Sequence, residues 1–225
     1  MPDEVFLSLV DARIQFSDGL RGGRYRHLDA YNDALNRFGD KCRYMAFIDV
    51  DEFLYSADGE SLESLCDRLI GDRGGLAVNW SVFGSSGYGR SPGGLVTQTY
   101  LWRSDDAFEA NRHVKTICDP IRVAGFISSH FCEYLLGFCS HSVGGHTQYG
   151  PFCEEGPSRV LRLNHYFTKL REEFLSKRMQ GLSDGPGVRD LDDFEQHDRN
   201  EVYDDGMLTF GNELERAMGL GSGVS

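Results

Sequence analysis

Leu28, Tyr31, Leu35 and Phe38 recur every three or four positions, which puts them on one side of a helix over residues 27–38. Gly39-Asp40 ends that helix. The next apolar residues do not recur; they run together. Tyr44-Met45-Ala46-Phe47-Ile48 is unbroken, and such a run predicts a strand buried on both faces of a parallel sheet. Ser61 then stands as the N-cap of a second amphipathic helix, whose buried side is Leu62, Leu65, Cys66, Leu69 and Ile70. Residues 76–83 predict a second apolar strand, and 113–118, 121–128 and 160–166 predict three more. Residues 5–10 read as a short strand, and 96–103 fit either helix or strand. Leu170, Phe174, Leu175 and Met179 mark a helix, charged on its other side by Arg171, Glu172, Glu173, Lys177 and Arg178. Met207, Phe210, Leu214, Ala217 and Met218 mark a last helix. Residues 21–26, 84–94, 137–158 and 181–193 read as loops, the last of them mobile. Strands alternating with helices predict a single α/β domain over 1–218, with 219–225 a flexible tail.

Composition narrows the partners. The chain has 225 residues, 40% hydrophobic and 26% charged, the balance of a globular protein with one sizeable core. Its net charge is −12 with no Lys/Arg block, which argues against a nucleic-acid partner, because phosphates would be repelled. No apolar run reaches spanning length, so no transmembrane segment is expected. The first residues lack a basic region and a cleavable apolar stretch; no signal peptide is read, and a cytoplasmic location is expected. The six cysteines (42, 66, 118, 132, 139 and 153) are scattered, which suits reduced, buried thiols better than a disulfide framework. The sequence does not indicate an oligomeric state.

The chemistry gathers behind the first apolar run, at Asp49-Val50-Asp51-Glu52. Ligands of open α/β sheets bind just beyond the carboxyl ends of strands, so these carboxylates stand where a site is expected. Asp49 and Asp51 point to opposite faces if the strand continues and can approach one cation if the chain bends. Mg²⁺ and Mn²⁺ take carboxylate oxygens and bridge to phosphates. An EF-hand is excluded, because the sixth loop position is Leu54 rather than Gly. His130, Cys132, Cys139, His141, His146 and Cys153 form a Cys/His-rich stretch, but its spacings lack the close Cys pair usual in structural zinc sites. There is no GxGxxG, Walker A or HExxH.

Four segments in order carry a resemblance: Phe47-Ile48-Asp49-Val50-Asp51-Glu52-Phe53; Trp80-Ser81-Val82-Phe83-Gly84-Ser85-Ser86-Gly87; Val114-Lys115-Thr116-Ile117-Cys118-Asp119-Pro120; and Leu163-Asn164-His165-Tyr166, leading into Glu172-Glu173-Phe174. Over roughly residues 27–181 the pattern resembles glycosyltransferase family 92 and the related family 2-like transferases. That resemblance implies a GT-A fold, a Rossmann-like mixed sheet flanked by helices. It implies a nucleotide-sugar donor, most often UDP-linked, a glycan acceptor, and Mn²⁺- or Mg²⁺-assisted transfer with inversion, as in polysaccharide biosynthesis. By the same resemblance, Asp49 and Asp51 form the DxD metal and donor motif, with Asp51 the direct ligand and Asp49 reaching ribose or metal. His165 closes the metal shell. The family's first strand-helix-strand unit, which holds the nucleotide base, is expected to be missing here.

Within that frame Lys115, Lys169 and Lys177 are candidates to neutralise the diphosphate, and Trp80, Phe83, Ser85 and Ser86 to shape a sugar pocket. The catalytic base stays open among Asp119, His130 and Glu154, with Glu133 and Glu155 as further carboxylates. Two alternatives stand beside the transferase. One is a phosphatase of the haloacid dehalogenase type with Asp49 as nucleophile. The other is a non-catalytic transferase relic.

Overall fold

The computed structural model describes residues 26–179 and 191–217. The expected strand at 5–10, the 181–190 part of the mobile loop and the tail at 219–225 lie outside the described residues. Helix α1 (Arg26–Phe38) and helix α2 (Leu62–Ile70) form where the apolar spacing predicts them. Ser61 caps α2 by accepting a hydrogen bond from the Ser64 amide at 3.2 Å.

A mixed sheet organises the chain. Its main path runs β1 (Met45–Ala46), β5 (Val114–Cys118), β3 (Gly75–Val82), β10 (Leu161–His165), β2 (Glu52–Ser56). Strand β8 (Ser140–Ser142) pairs with the first three residues of β3, and β9 (Thr147–Gln148) pairs with β8. β3 lies antiparallel to β5 and parallel to β8 and β10. Two small ribbons flank the sheet: β6 (Val123–Phe126) with β7 (Cys132–Tyr134), and β4 (Trp102–Arg103) with β11 (Val202–Tyr203). The 96–103 segment is both things its pattern allowed, a short helix α3 (Val96–Thr99) followed by β4. Helices α4 (Arg171–Met179), α5 (Leu191–His197) and α6 (Leu208–Ala217) complete the described chain. The α/β class and the mixed sheet flanked by helices are as the sequence predicts. No helix among the described residues is long and apolar enough to cross a membrane.

The strand expected at 44–48 is corrected. Only Met45 and Ala46 pair, and they do so antiparallel at the sheet edge, opposite Cys118 and Ile117. The apolar run nevertheless serves both faces. Tyr44 and Ala46 pack under α2 with Leu65, Ile70, Leu76 and Leu163. Met45 and Phe47 pack under α1 with Cys118, Val123 and Phe126. Phe47 stacks on Tyr31 of α1 at 4.2 Å, so the chain leaves the sheet there and Ile48 is exposed. An alternating two-faced run looks the same in sequence whether the strand is central or at an edge.

One sheet face changes character along its length. Leu76, Val78, Ile117, Leu161 and Leu163 are buried beneath α2. Further along the same face come Trp80, Lys115, His165 and Glu52, joined by the strand register that pairs Val78 with Lys115, Leu163 with Trp80 and His165 with Glu52.

Candidate active site

β1 and β2 are consecutive in sequence yet lie at opposite edges of the main path. Residues 47–51 must therefore cross the ends of β5, β3 and β10. The crossing closes with a tight turn. The Glu52 amide donates to the Asp49 carbonyl at 3.0 Å, and the Asp49 amide donates to Glu52 Oε2 at 2.7 Å. Val50 sits exposed at its tip.

That turn separates the two aspartates. Asp49 Oδ2 lies 3.1 Å from Lys115 Nζ. Asp51 is buried, its carbonyl accepts from the Tyr166 amide at 2.9 Å, and its Oδ1 is 3.9 Å from His165 Nε2. Lys115 is only 2% exposed and also stands 3.7 Å from Glu52 Oε2 and 3.1 Å from the Ser129 carbonyl. The strand register with Val78 points Lys115 into the corner.

Glu52 is the residue whose role sequence reasoning missed. Its side chain is fully buried, and Oε1 has no hydrogen-bond partner. Burial pushes its carboxyl up to about 8; Lys115 opposes that rise, while the Asp49 and Asp51 charges add to it. A carboxyl raised that far favours its protonated form at neutral pH, beside the Lys115–Asp49 contact. Glu52 was visible as a third carboxylate, but only its burial assigns it this state.

Trp80 is the hub of the neighbouring wall. His113 stacks on it at 4.6 Å, the His165 ring centre lies 4.2 Å away, and His130 meets it edge-on at 5.4 Å. It is partly buried among these three rings. His130 Nδ1 lies 2.9 Å from the Val114 carbonyl and His113 Nδ1 lies 3.0 Å from the Ala110 carbonyl. A carbonyl can only accept, so each Nδ1 carries the proton and each Nε2 keeps its lone pair. Burial lowers the pKa of both rings; Lys115 lowers His130 further. His113 has no sequence signal, because only the strand register brings it to Trp80.

Other candidates lie elsewhere or are already occupied. Phe83 is buried in a core cluster with Tyr100, Tyr166 and Leu170. Ser85 Oγ donates to Asp198 Oδ2 at 3.0 Å, and its amide donates to Oδ1 at 2.6 Å. Ser86 Oγ accepts from the Leu101 and Trp102 amides. These groups knot the 84–86 loop to residues 101–102 and 198–200. Asp119 caps the short turn Pro120–Arg122 and pairs with Arg122 at 3.0 Å. It follows the carboxyl end of β5, whereas Lys115 is near the amino end, ~10–13 Å away along the strand. Glu154 is exposed and paired with Arg112. Lys169 is half-buried with a φ of 46° ahead of α4; the side chain of Lys177 lies outside the described residues. All six cysteines are free.

The fit to a divalent ion is partial. Among the described residues, no group of three or more His, Cys, Asp or Glu side chains could hold a metal. This holds for the Cys/His-rich stretch too, where His146 pairs with Glu155. Asp51 and His165 face each other at a spacing that two ligands of one ion can share, while Asp49 is turned to Lys115. A two-donor site suits a cation that keeps its other positions for phosphate and water. Asp49 follows a short antiparallel edge strand rather than a central parallel one.

No curated protein matches the chain. The family model of glycosyltransferase family 92 matches residues 11–136, more than half of the 225 residues. The matched stretch includes Asp49, Asp51, Glu52, Trp80, Lys115 and His130, and ends before His165. The chain is a sugar transferase by this match: it belongs to glycosyltransferase family 92.

Proposed function

We propose that this transferase moves a sugar from a nucleoside-diphosphate donor, UDP-linked, to a hydroxyl of a glycan acceptor, with inversion and with the help of Mn²⁺ or Mg²⁺. The observation that carries the reading is the corner itself: a buried lysine at Asp49, beside an Asp51–His165 pair, beyond the carboxyl ends of β1, β3 and β10. A diphosphate leaving group needs its growing charge neutralised. Lys115 would supply one positive charge, with Asp49 holding it aimed while the donor is absent. Asp51 and His165 would hold the cation. When bound, that ion supplies Lewis-acid stabilisation of the departing diphosphate.

His130 is the base best supported. Its fixed Nδ1–H leaves Nε2 to accept a proton, and its lowered pKa keeps it neutral at physiological pH. The acceptor hydroxyl loses its proton to Nε2 as its oxygen bonds to the anomeric carbon. The bond from that carbon to the diphosphate oxygen breaks on the opposite side.

The test is a panel of nucleotide sugars with Mn²⁺, read for binding and for slow donor hydrolysis. Binding and hydrolysis that Asp51→Ala and His165→Ala abolish support the reading. Phosphate-ester cleavage without nucleotide-sugar binding would favour the phosphatase, and neither binding nor turnover would leave the relic.

A further inference from the structure

The face of the sheet opposite the Lys115 corner carries an open cleft of about 390 Å³, within the ~300–1,000 Å³ range of small-molecule sites. Its floor is strand: Ala77 and Thr116 are register partners, and both point away from the face that carries Lys115. Four aromatic rings line it, from Phe131, Tyr134, Phe138 and Tyr149. Tyr134 lies so close over the start of β3 that a Cβ at Gly74 would come within 2.3 Å of its ring and one at Gly75 within 2.2 Å of its hydroxyl oxygen. The two glycines thus let this ring settle onto the sheet as one wall. Glu133 and Gln148 bring a carboxylate and an amide among the rings. Tyr149 is 78% exposed and Phe138 37%, an apolar rim left to solvent.

Rings interleaved with hydrogen-bonding side chains are the chemistry that recognises a pyranose. The apolar C–H face of the sugar packs on aromatic carbon, and its hydroxyls bond the carboxylate and amide. The −12 net charge favours a neutral saccharide over an anionic one. The cleft is also tied to the reacting corner. Segment 127–131 supplies Ile127 and Phe131 to the cleft, while its Ser129 carbonyl accepts from Lys115 and its His130 ring contacts the Val114 carbonyl. The His130 carbonyl accepts from Thr116 Oγ1 at 2.9 Å. One five-residue segment therefore separates the cleft from the corner.

We propose that this cleft is a second saccharide site, which anchors a neutral part of the glycan acceptor some sugar units away from the hydroxyl that reacts. The acceptor role rests on the transferase reading above; saccharide binding by the cleft does not. The experiment measures saturation-transfer NMR of the full chain with millimolar maltotriose, cellotriose, triacetylchitotriose and lactose, beside donor hydrolysis and light scattering. At least one saccharide is expected to show transfer to its ring C–H protons. Tyr149→Ala and Phe138→Ala are expected to weaken it about tenfold, and Glu133→Gln to weaken it less. Asp51→Ala should bind normally, and Tyr149→Ala should keep wild-type donor hydrolysis. If saccharide binding depends on Tyr149 but no nucleotide sugar binds or turns over, the cleft stands and the transferase reading falls. If donor hydrolysis proceeds and no saccharide binds, or binding ignores Tyr149 and Phe138, the cleft proposal is overturned. A dimer that Tyr149→Ala converts to monomer would assign the cleft to a second copy and overturn it too.

Discussion

Lys115 Nζ stands 3.1 Å from Asp49 Oδ2, although the residues are 66 positions apart in the chain. The contact splits the acidic motif into two settings. Asp49 balances a buried cation, and Asp51 is left to face His165.

Replacing Lys115 with Met should weaken UDP binding about 10- to 100-fold, because a charge-assisted contact to phosphate is lost. It should also cost roughly 1–3 kcal/mol of stability, since Asp49 is partly open to solvent and can rehydrate. Asp49→Asn should weaken UDP binding less, because Lys115 stays. UDP titration and urea melts of both variants check this; a Lys115→Met protein with wild-type UDP affinity would sink the phosphate role.

Glu52 sets a pH dependence of stability. Its carboxyl titrates near 8 when folded, against 4.5 when exposed, so between these values the folded state holds a proton that the unfolded state has released. Stability contributed by this group therefore falls as pH rises from about 5 to 8 and levels off above. Glu52→Gln mimics the protonated acid, and its melts in EDTA should lose that falling limb. A variant with the same pH profile as the wild type would show that Glu52 is ionised in the fold.

His130 should set the acid limb of transfer. Its pKa lies below the ordinary 6.5, so the base form persists through neutral pH and activity should decline only below that value. His130→Ala should lower kcat about 10²- to 10⁴-fold with little change in donor KM. Full turnover in that variant would return the base to the carboxylates.

A different carboxylate holds the opposite face together. Asp204 Oδ2 accepts from Arg103 Nε at 2.8 Å and from Arg162 at 2.7 Å. Burial alone would raise its pKa, but the two guanidiniums outweigh burial and lower it. Its stabilisation is complete above the unfolded value of 3.8 and is lost as pH falls through the lower folded value. Asp204→Asn should cost about 3–5 kcal/mol, the range for removing one member of a buried ionic group. Urea midpoints at pH 7 and pH 3 test this, and the difference between variant and wild type should shrink at the lower pH.

Much of the fold was legible. The α1 and α2 spacings, the Ser61 cap and the β3 and β10 runs are local patterns, one-sided in the helices and near-continuous in the buried strands, and such patterns survive folding. The 44–48 run misled because its side chains feed two cores from a sheet edge, and periodicity reports burial rather than strand position. The partners of Ser85 and Ser86 were not legible, because hydroxyls suited to a sugar are equally suited to Asp198 and the 101–102 backbone.

The sequence by itself determined the α/β class, the family through its ordered segments, and the acidic run Asp49–Glu52. Tertiary structure alone decided where each acid lies and what it meets. Consecutive strands at opposite sheet edges force residues 47–51 across the sheet end, and that crossing turns Asp49 to Lys115, Asp51 to His165 and Glu52 into the interior. The reason is that charge state and ligand geometry depend on burial and on partners tens of residues away, and neither quantity is written in local spacing.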